Sequence, residues 1–182
     1  LLFPPGGIIM FVGFLFGGAA QAGWTSYPPI STQTPFGLAH DYGQICWLLS
    51  VIVVGVSSTI TAINFLVTIV NMRAPGMSYF RLPLFVWAML VTVILTLLVT
   101  PALAGGLSLQ LMQILFGAPF FEPSKGGNVL LWQHMFWFYS HPAVYIMILP
   151  AMGIVSEIIP VFSRKPIFGY KAIAYSTMAI GL

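Results

Sequence analysis

Charge is what this sequence has least of. Only 5% of its 182 residues are charged, 59% are apolar, and its mean hydropathy is +0.99. A soluble domain carries about 25% charged residues, so the composition excludes an ordinary soluble fold and predicts an integral membrane protein. The six basic and three acidic residues are too few and too scattered to form a nucleic-acid-binding surface.

Cysteine is nearly absent as well. The single cysteine, Cys46, excludes an internal disulfide and a cysteine metal cluster, and we interpret it as a small buried apolar residue. The sequence also has no initiator methionine and no signal-peptide pattern. Because it starts and stops within apolar segments, we expect a fragment of a longer protein.

Long apolar runs, in contrast, are abundant. A helix needs about 20 apolar residues to cross the hydrocarbon core of a bilayer. The pattern predicts three full spans at 44–71, 82–106 and 129–160, and two partial spans at 1–20 and 170–182. The loops between them hold most of the prolines, glycines and charges. We therefore expect an all-α membrane protein, with residues 1–182 forming a single partial transmembrane domain of about five helices.

The basic residues are distributed unevenly among the predicted loops. Successive loops alternate between the two sides of a membrane, and cytoplasmic loops carry an excess of lysine and arginine. Five of the six basic residues fall on one side, which we assign to the cytoplasm: Arg73, Arg81, Arg164, Lys165 and Lys171. Glu157, near the same side, is interpreted as an interfacial charge close to Arg164 and Lys165.

One histidine lies deep within the third full span. His141 is about a dozen residues from the outer end of that helix, or roughly 18 Å into the membrane. An ionisable residue at such depth is costly and suggests a functional site. Trp137, His141 and Tyr145 are spaced four apart, so they share one helix face. Two interpretations stay open at this point, a metal ligand in a redox site and a single histidine hydrogen-bonded to a neighbouring helix.

The other two histidines do not extend this site. His134 is seven residues earlier, about 10 Å along the helix axis, which is too far for a metal ion shared with His141 through bonds of about 2 Å. We interpret His134 as an interfacial histidine and His40 as a loop residue. The sequence alone therefore offers one candidate metal ligand.

Residues 137–145, Trp-Phe-Tyr-Ser-His-Pro-Ala-Val-Tyr, resemble the His-Pro-x-Val-Tyr motif of subunit I of the haem–copper terminal oxidases, the cytochrome oxidase family. The resemblance extends over nearly the whole chain, through residues 23–29, 55–58, 62–65, 83–87 and 168–170. It implies that the spans are the third to seventh helices of a twelve-helix subunit.

The resemblance implies a role for each matching residue. It makes His141 a ligand of the active-site copper and Tyr145 the tyrosine covalently joined to that histidine. It places Trp137 beside the binuclear site and Trp24 near the haem propionates. Three polar residues fall in the region of the proton-input path, although polar helix packing explains them equally well: Ser57, Ser58 and Asn64.

The sequence departs from many family members at one position. Where they have a relay glutamate after the proline, this chain has Ala143, and Tyr139 and Ser140 precede the histidine, as in a subtype without that glutamate. A phenol and a hydroxyl can organise a water chain. They cannot hold a proton as a carboxylate does near neutral pH, so the relay must differ in its detail.

The resemblance implies the reduction of oxygen to water by four electrons, coupled to proton pumping, with Tyr145 supplying an electron and a proton. The implied cofactors are copper and two haems, whose remaining ligands lie outside this fragment, so the fragment alone should be inactive. The implied partners are oxygen, cytochrome c, oxidase subunits II and III and the lipid bilayer, in the inner (plasma) membrane of a bacterium.

Several other functions remain as alternatives. A quinol oxidase of the same family shares this core and differs in its electron donor. A non-redox transporter or a structural subunit of a respiratory complex would also have polar residues within helices. Nitric oxide reductases are more distant relatives, and they typically lack the pairing of His141 with Tyr145.

Overall fold

All regular secondary structure in the described part of the chain is helical. The computed structural model describes residues 1–16, 18–33 and 41–181, so His40 lies outside the described residues. These ranges contain no β-strand and five α-helices: α1 (Phe3–Phe16), α2 (Tyr42–Asn71), α3 (Leu84–Phe116), α4 (Val129–Ser163) and α5 (Tyr170–Ile180). Short 3₁₀ turns lie at Ile30–Thr32, Tyr79–Arg81 and Pro123–Lys125. The predicted all-α fold is confirmed.

Three of the helices are long and apolar enough to cross a membrane: α2, α3 and α4. They contain 30, 33 and 35 residues. At a rise of 1.5 Å per residue they extend about 45–53 Å, which exceeds the roughly 30 Å of the hydrocarbon core. α1 and α5 are shorter, with 14 and 11 residues. The chain is therefore a multi-pass membrane protein.

α3 is longer than the predicted membrane span. The expected span runs to Gly106, and the helix extends to Phe116. The two glycines there are packing positions, since a Cβ on Gly105 would lie 3.1 Å from Met135 Cε and one on Gly106 would lie 3.5 Å from Trp132 Cζ3. Leucine, methionine and glutamine dominate the following residues and favour continuation of the helix.

The chain divides into two compact units. The first comprises Leu1–Ser58 and Thr100–Tyr139. Its core is a buried apolar cluster of six residues: Leu48, Leu103, Leu107, Phe121, Trp132 and Phe136. Asp41 begins α2 within this unit, because its carboxylate accepts the N–H of Gln44 at 3.0 Å and so caps the helix.

The second unit comprises Thr59–Val99 and Ser140–Leu182. Two buried apolar clusters form its core: Leu82, Leu84, Trp87 and Ala174, and Ala88, Val91, Leu95 and Leu149. Gly153 lets α4 approach α3 closely, because an added Cβ there would lie 2.9 Å from both Phe85 Cα and Ala88 Cβ. α5 is fastened through Tyr170, whose hydroxyl donates to Leu82 O at 2.5 Å and accepts from Trp87 Nε1 at 3.1 Å.

Candidate functional site

The structure places the rings of His141 and Tyr145 against each other in the second unit. Both residues lie on α4, one turn apart, and their ring centroids are 4.6 Å apart with the planes at 87°. Tyr145 is half-buried against the cluster around Leu149. His141 is exposed. The phenol ring of Tyr145 is thus packed against apolar side chains, whereas the imidazole of His141 is exposed.

His141 can act as one ligand of a copper ion. Imidazole nitrogen is a common copper ligand, and the exposed ring is accessible to a metal. Among the described residues, no group of three or more histidine, cysteine, aspartate or glutamate side chains is placed to hold a metal ion. The described residues therefore fit a copper site only as one ligand of several.

The other histidine of α4 lies in the other unit. His134 is exposed and belongs to the first unit. Among the described residues it belongs to no group of three or more potential metal ligands. Its separation from a metal site at His141 stays a prediction.

The tyrosine and serine that precede His141 have different environments. Tyr139 is half-buried and packs against the apolar core of the first unit. Ser140 is buried, with 9% of its surface exposed. Both are on the helix that carries the His141–Tyr145 pair, immediately before the histidine.

Four aromatic residues of the first unit form a second feature, which we call the aromatic wall: Trp24, Tyr27, Phe136 and Trp137. The Trp24 ring lies 5.4 Å from Phe136 and 6.1 Å from Trp137, centroid to centroid. Trp137 Nε1 donates a hydrogen bond to the Tyr27 hydroxyl. The structure therefore joins Trp24 and Trp137, which the resemblance associates with different parts of the cofactor region, and adds Tyr27, which the sequence did not single out.

The loop that carries Trp24 and Tyr27 is fixed from below by buried polar side chains. We call this set the loop clamp; it consists of Ser26, Ser31, Gln44 and Gln110, each no more than 1% exposed. The Gln110 amide donates to Ser26 O at 2.9 Å and to Ser31 Oγ at 2.7 Å. The Ser26 hydroxyl donates to Gln110 Oε1 at 3.1 Å and accepts from Gln44 Nε2 at 2.5 Å. Buried polar groups are costly unless paired, and here they pair with one another.

Two further observations show that the backbone of this loop is held in one conformation. Trp132 Nε1 donates to Thr25 O at 3.0 Å, directly beside the clamp. Ser26 has a φ of +49°, a left-handed conformation that non-glycine residues rarely adopt. The backbone is held in this conformation by the hydrogen bonds of Ser26 itself.

One feature of the sequence points to the clamp. Gln44 and Gln110 are uncharged but strongly polar, and they stand in apolar surroundings where a polar side chain needs a partner. Their partners are 18 to 84 residues away in the chain, so spacing could not identify them.

The three residues associated with a proton path are spread along α2. Ser57 is half-buried and Ser58 is exposed, and both belong to the first unit. Asn64 is exposed, belongs to the second unit, and accepts a hydrogen bond from Thr68 at its backbone oxygen. Their assignment to proton transfer stays a prediction.

Glu157 has a more specific partner than the sequence indicated. Its Oε1 accepts the backbone N–H of Leu84 at 2.6 Å, where α3 begins. The first N–H groups of a helix have no partner within it, and a carboxylate there also matches the positive end of the helix dipole. The carboxylate of Glu157 thus accepts a hydrogen bond at the start of α3. The sequence had associated Glu157 with Arg164 and Lys165 instead.

Comparison with known proteins gives the same assignment over the full length. The family model described as "Cytochrome C and Quinol oxidase polypeptide I" matches residues 1–182. "Cytochrome c oxidase subunit 1" of Thermostichus vulcanus is 58% identical over 97% of this chain, and that of Bacillus subtilis is 47% identical over 99%. These matches cover 31% and 28% of the two relatives, so the chain spans about three tenths of their length. The resemblance seen in the sequence is confirmed, and the chain belongs to the cytochrome c and quinol oxidase polypeptide I family.

Proposed function

We propose that this chain is part of the catalytic subunit of a respiratory terminal oxidase, which reduces oxygen to water with electrons from cytochrome c and couples the reaction to proton pumping. The observation that carries the proposal is the His141–Tyr145 pair on a helix able to cross a membrane, in a chain that matches the family throughout. Members of this family bind haem and copper and act within an oxidase complex.

His141 would hold copper through an imidazole nitrogen, together with ligands from outside the chain. When bound, copper and haem supply the redox chemistry that oxygen reduction requires. The family resemblance adds a covalent bond between His141 and Tyr145. Contact between the two rings is a precondition for such a bond, and their centroid separation of 4.6 Å satisfies it.

Tyr145 would supply a proton and an electron from its phenol. The packing of its ring against the Leu149 cluster restricts its motion, and a positioned acid can accelerate a proton-dependent step by about 10²–10⁴-fold. A phenol held beside a copper ligand is suited to this role because both groups keep fixed positions on one helix.

Protons would reach this region through hydroxyl groups and water. Tyr139 and Ser140 immediately precede His141 and can each donate and accept a hydrogen bond. They replace the carboxylate relay of other members, since Ala143 occupies its position. Ser57, Ser58 and Asn64 are proposed for the proton input along α2.

The aromatic wall would organise the cofactor region of the first unit. Trp137 is proposed to pack beside the binuclear site and Trp24 to lie near the haem propionates. The loop clamp supports both proposals, because it holds the loop carrying Trp24 against Phe136 and Trp137.

The remaining proposals concern partners and location. Subunits II and III, cytochrome c and oxygen are the proposed partners, in a bacterial plasma membrane. Relatives from Thermostichus vulcanus, Synechocystis and Bacillus subtilis are described as "Cytochrome c oxidase subunit 1", which favours cytochrome c as the donor. The family description also includes quinol oxidases, so the quinol reaction is the second candidate.

The experiment that tests the function uses the full-length oxidase complex in membranes. Oxygen uptake is measured with reduced cytochrome c and, separately, with a quinol. We expect uptake with cytochrome c, and a loss of uptake in the Tyr145→Phe enzyme. Uptake with quinol alone would select the second candidate, and unchanged uptake in Tyr145→Phe would contradict the role of this residue.

A further inference from the structure

The two units differ sharply in charge. The first unit contains one basic residue, Lys125, and two acidic residues, Asp41 and Glu122. The second contains one acidic residue, Glu157, and five basic residues, which we call the basic end: Arg73, Arg81, Arg164, Lys165 and Lys171. Nearly all the positive charge of the chain is therefore in one unit.

The basic end lies at one end of the helices of that unit. Arg73 follows the last residue of α2, and Arg81 shortly precedes the start of α3. Arg164 and Lys165 follow α4 directly, and Lys171 is in the first turn of α5. Since consecutive helices of a multi-pass protein run in opposite directions, these positions share one side of the membrane, assigned above to the cytoplasm.

The positive charges of the basic end are not neutralised within the described parts of the chain. The ion pair found there joins Lys125 to Glu122 at 3.0 Å, in the first unit. Glu157, the carboxylate of the second unit, accepts the N–H of Leu84. The basic end thus keeps its net positive charge, and an anionic partner would complement it.

Aromatic rings hold two of the cations in place. The Arg73 guanidinium carbon lies 3.7 Å from the centroid of the Tyr79 ring, and Lys171 Nζ lies 5.7 Å from that of Phe80. Both rings pack beside Trp87, at 6.3 and 5.9 Å. Arg73 Nε donates to Val70 O at 3.3 Å, and a guanidinium stacked on a ring keeps its terminal N–H groups available for a phosphate.

A cleft at Lys165 combines charge with apolar surface. It has a volume of about 270 Å³ and is lined by Ser163, Lys165 and Phe168 among others. Phe168 is 97% exposed. An exposed phenylalanine beside a lysine and a hydroxyl suits an amphiphile, with its head at the cation and a chain along the ring.

We infer that the basic end binds the headgroups of anionic phospholipids in the cytoplasmic leaflet, with Arg73 and Lys171 as principal phosphate contacts and the cleft at Lys165 receiving the start of an acyl chain. Anionic lipids give that leaflet a negative surface potential, and basic pockets between transmembrane helices on the cytoplasmic side recognise such headgroups. This inference goes beyond oxygen reduction and does not depend on copper or haem.

The test uses the full-length oxidase complex reconstituted in nanodiscs of phosphatidylcholine, with or without phosphatidylglycerol. Tightly bound lipids are counted by native mass spectrometry for the wild-type complex and for the double variant Arg73→Gln, Lys171→Gln. Lys125→Gln is the matched control, since it removes an exposed cation from the first unit. The haem absorption spectrum of each variant verifies that the complex has folded.

We expect the wild-type and control complexes to retain phosphatidylglycerol in preference to phosphatidylcholine. Each cation near an anionic surface contributes about fivefold to binding, so the double variant should bind phosphatidylglycerol roughly 25-fold more weakly. If the double variant does not fold, Lys171→Gln alone should show the fivefold loss.

Three results would overturn the inference. Equal retention of phosphatidylglycerol by the wild type and by folded variants would show that the basic end does not recognise the headgroup. Full displacement of the lipid by inorganic phosphate would show a phosphate site without lipid character. Loss of another subunit from the double variant, with lipid retained, would identify the surface as a protein interface.

Discussion

The first unit buries the polar side chains of the loop clamp, whereas the second unit exposes His141 and the basic end. The loop clamp of the first unit is completely enclosed, and each of its members is hydrogen-bonded to another. In the second unit His141 is exposed, and the basic end has no carboxylate partner among the described residues. In this chain, buried polar groups therefore fix the backbone of the first unit, and exposed polar groups of the second unit are available to partners.

The largest expected effect comes from a substitution in the second unit, at Tyr145. Replacing Tyr145 by phenylalanine in the full-length oxidase leaves the ring packing intact and removes the hydroxyl. Because the phenol is proposed to supply a proton and an electron, we expect oxygen uptake to fall by at least about 100-fold. Tyr175→Phe, in an exposed tyrosine of α5, is the control and should leave uptake close to the wild-type rate.

The next effect concerns the loop clamp. Gln110→Leu removes the amide that donates hydrogen bonds to Ser26 O and Ser31 Oγ. It also removes the oxygen that accepts a hydrogen bond from the Ser26 hydroxyl. A buried polar group left without its partner costs about 1–3 kcal/mol, so we expect a loss of about 3 kcal/mol in stability. Thermal unfolding of the purified complex, followed by tryptophan fluorescence, measures it.

A suitable control lies two residues away on the same helix. The hydroxyl of Ser108 is exposed and donates to Ala104 O within its own helix. Ser108→Ala should change the unfolding temperature very little. Equal changes in Ser108→Ala and Gln110→Leu would show that the clamp is not a special source of stability.

A smaller effect is expected where α3 and α4 come together in the second unit. An added methyl group at Gly153 would meet the backbone at Phe85 Cα, 2.9 Å away. Overpacking of this kind costs about 1–3 kcal/mol, so Gly153→Ala should lower the unfolding temperature. Gly7→Ala is the comparison, because nothing lies within 4 Å of a Cβ at that position; a similar loss in both variants would contradict the packing explanation.

The smallest expected effect is at the surface of the first unit. Hydrogen bonds from Lys125 and Ser124 lower the pKa of Glu122 from its ordinary value of 4.5. A lowered pKa favours the folded state above the ordinary value, and this contribution is lost as the pH falls through the folded-state pKa. Since the pair is exposed, Glu122→Gln should leave the unfolding temperature nearly unchanged at pH 7. A large decrease would mean that this exposed pair contributes more than surface ion pairs usually do.

The sequence predicted the long helices but not the contacts through which they pack. Apolar runs identify a membrane-spanning helix because the bilayer requires about 20 such residues, and α2, α3 and α4 have this character. The packing role of Gly105 and Gly106 beside Met135 and Trp132 could not be predicted from the local sequence. That role depends on residues distant in the chain.

In the candidate site, too, contacts between nearby residues were predictable and contacts between distant residues were not. His141 and Tyr145 were predictable as a pair because residues four apart share a helix face, and the ring contact agrees with that expectation. The loop clamp was not predictable, because Ser26 and Gln110 are 84 residues apart. Local periodicity carries no information about such pairs, which depend on the tertiary fold.

We propose that His141 is a copper ligand in a terminal oxidase. The most direct measurement is the copper content of the purified full-length complex, determined for His141→Ala and for His134→Ala, with the haem spectrum recorded for both. We expect His141→Ala to lose copper while its haem is retained, and His134→Ala to keep both. Copper at the wild-type level in a folded His141→Ala complex would contradict it.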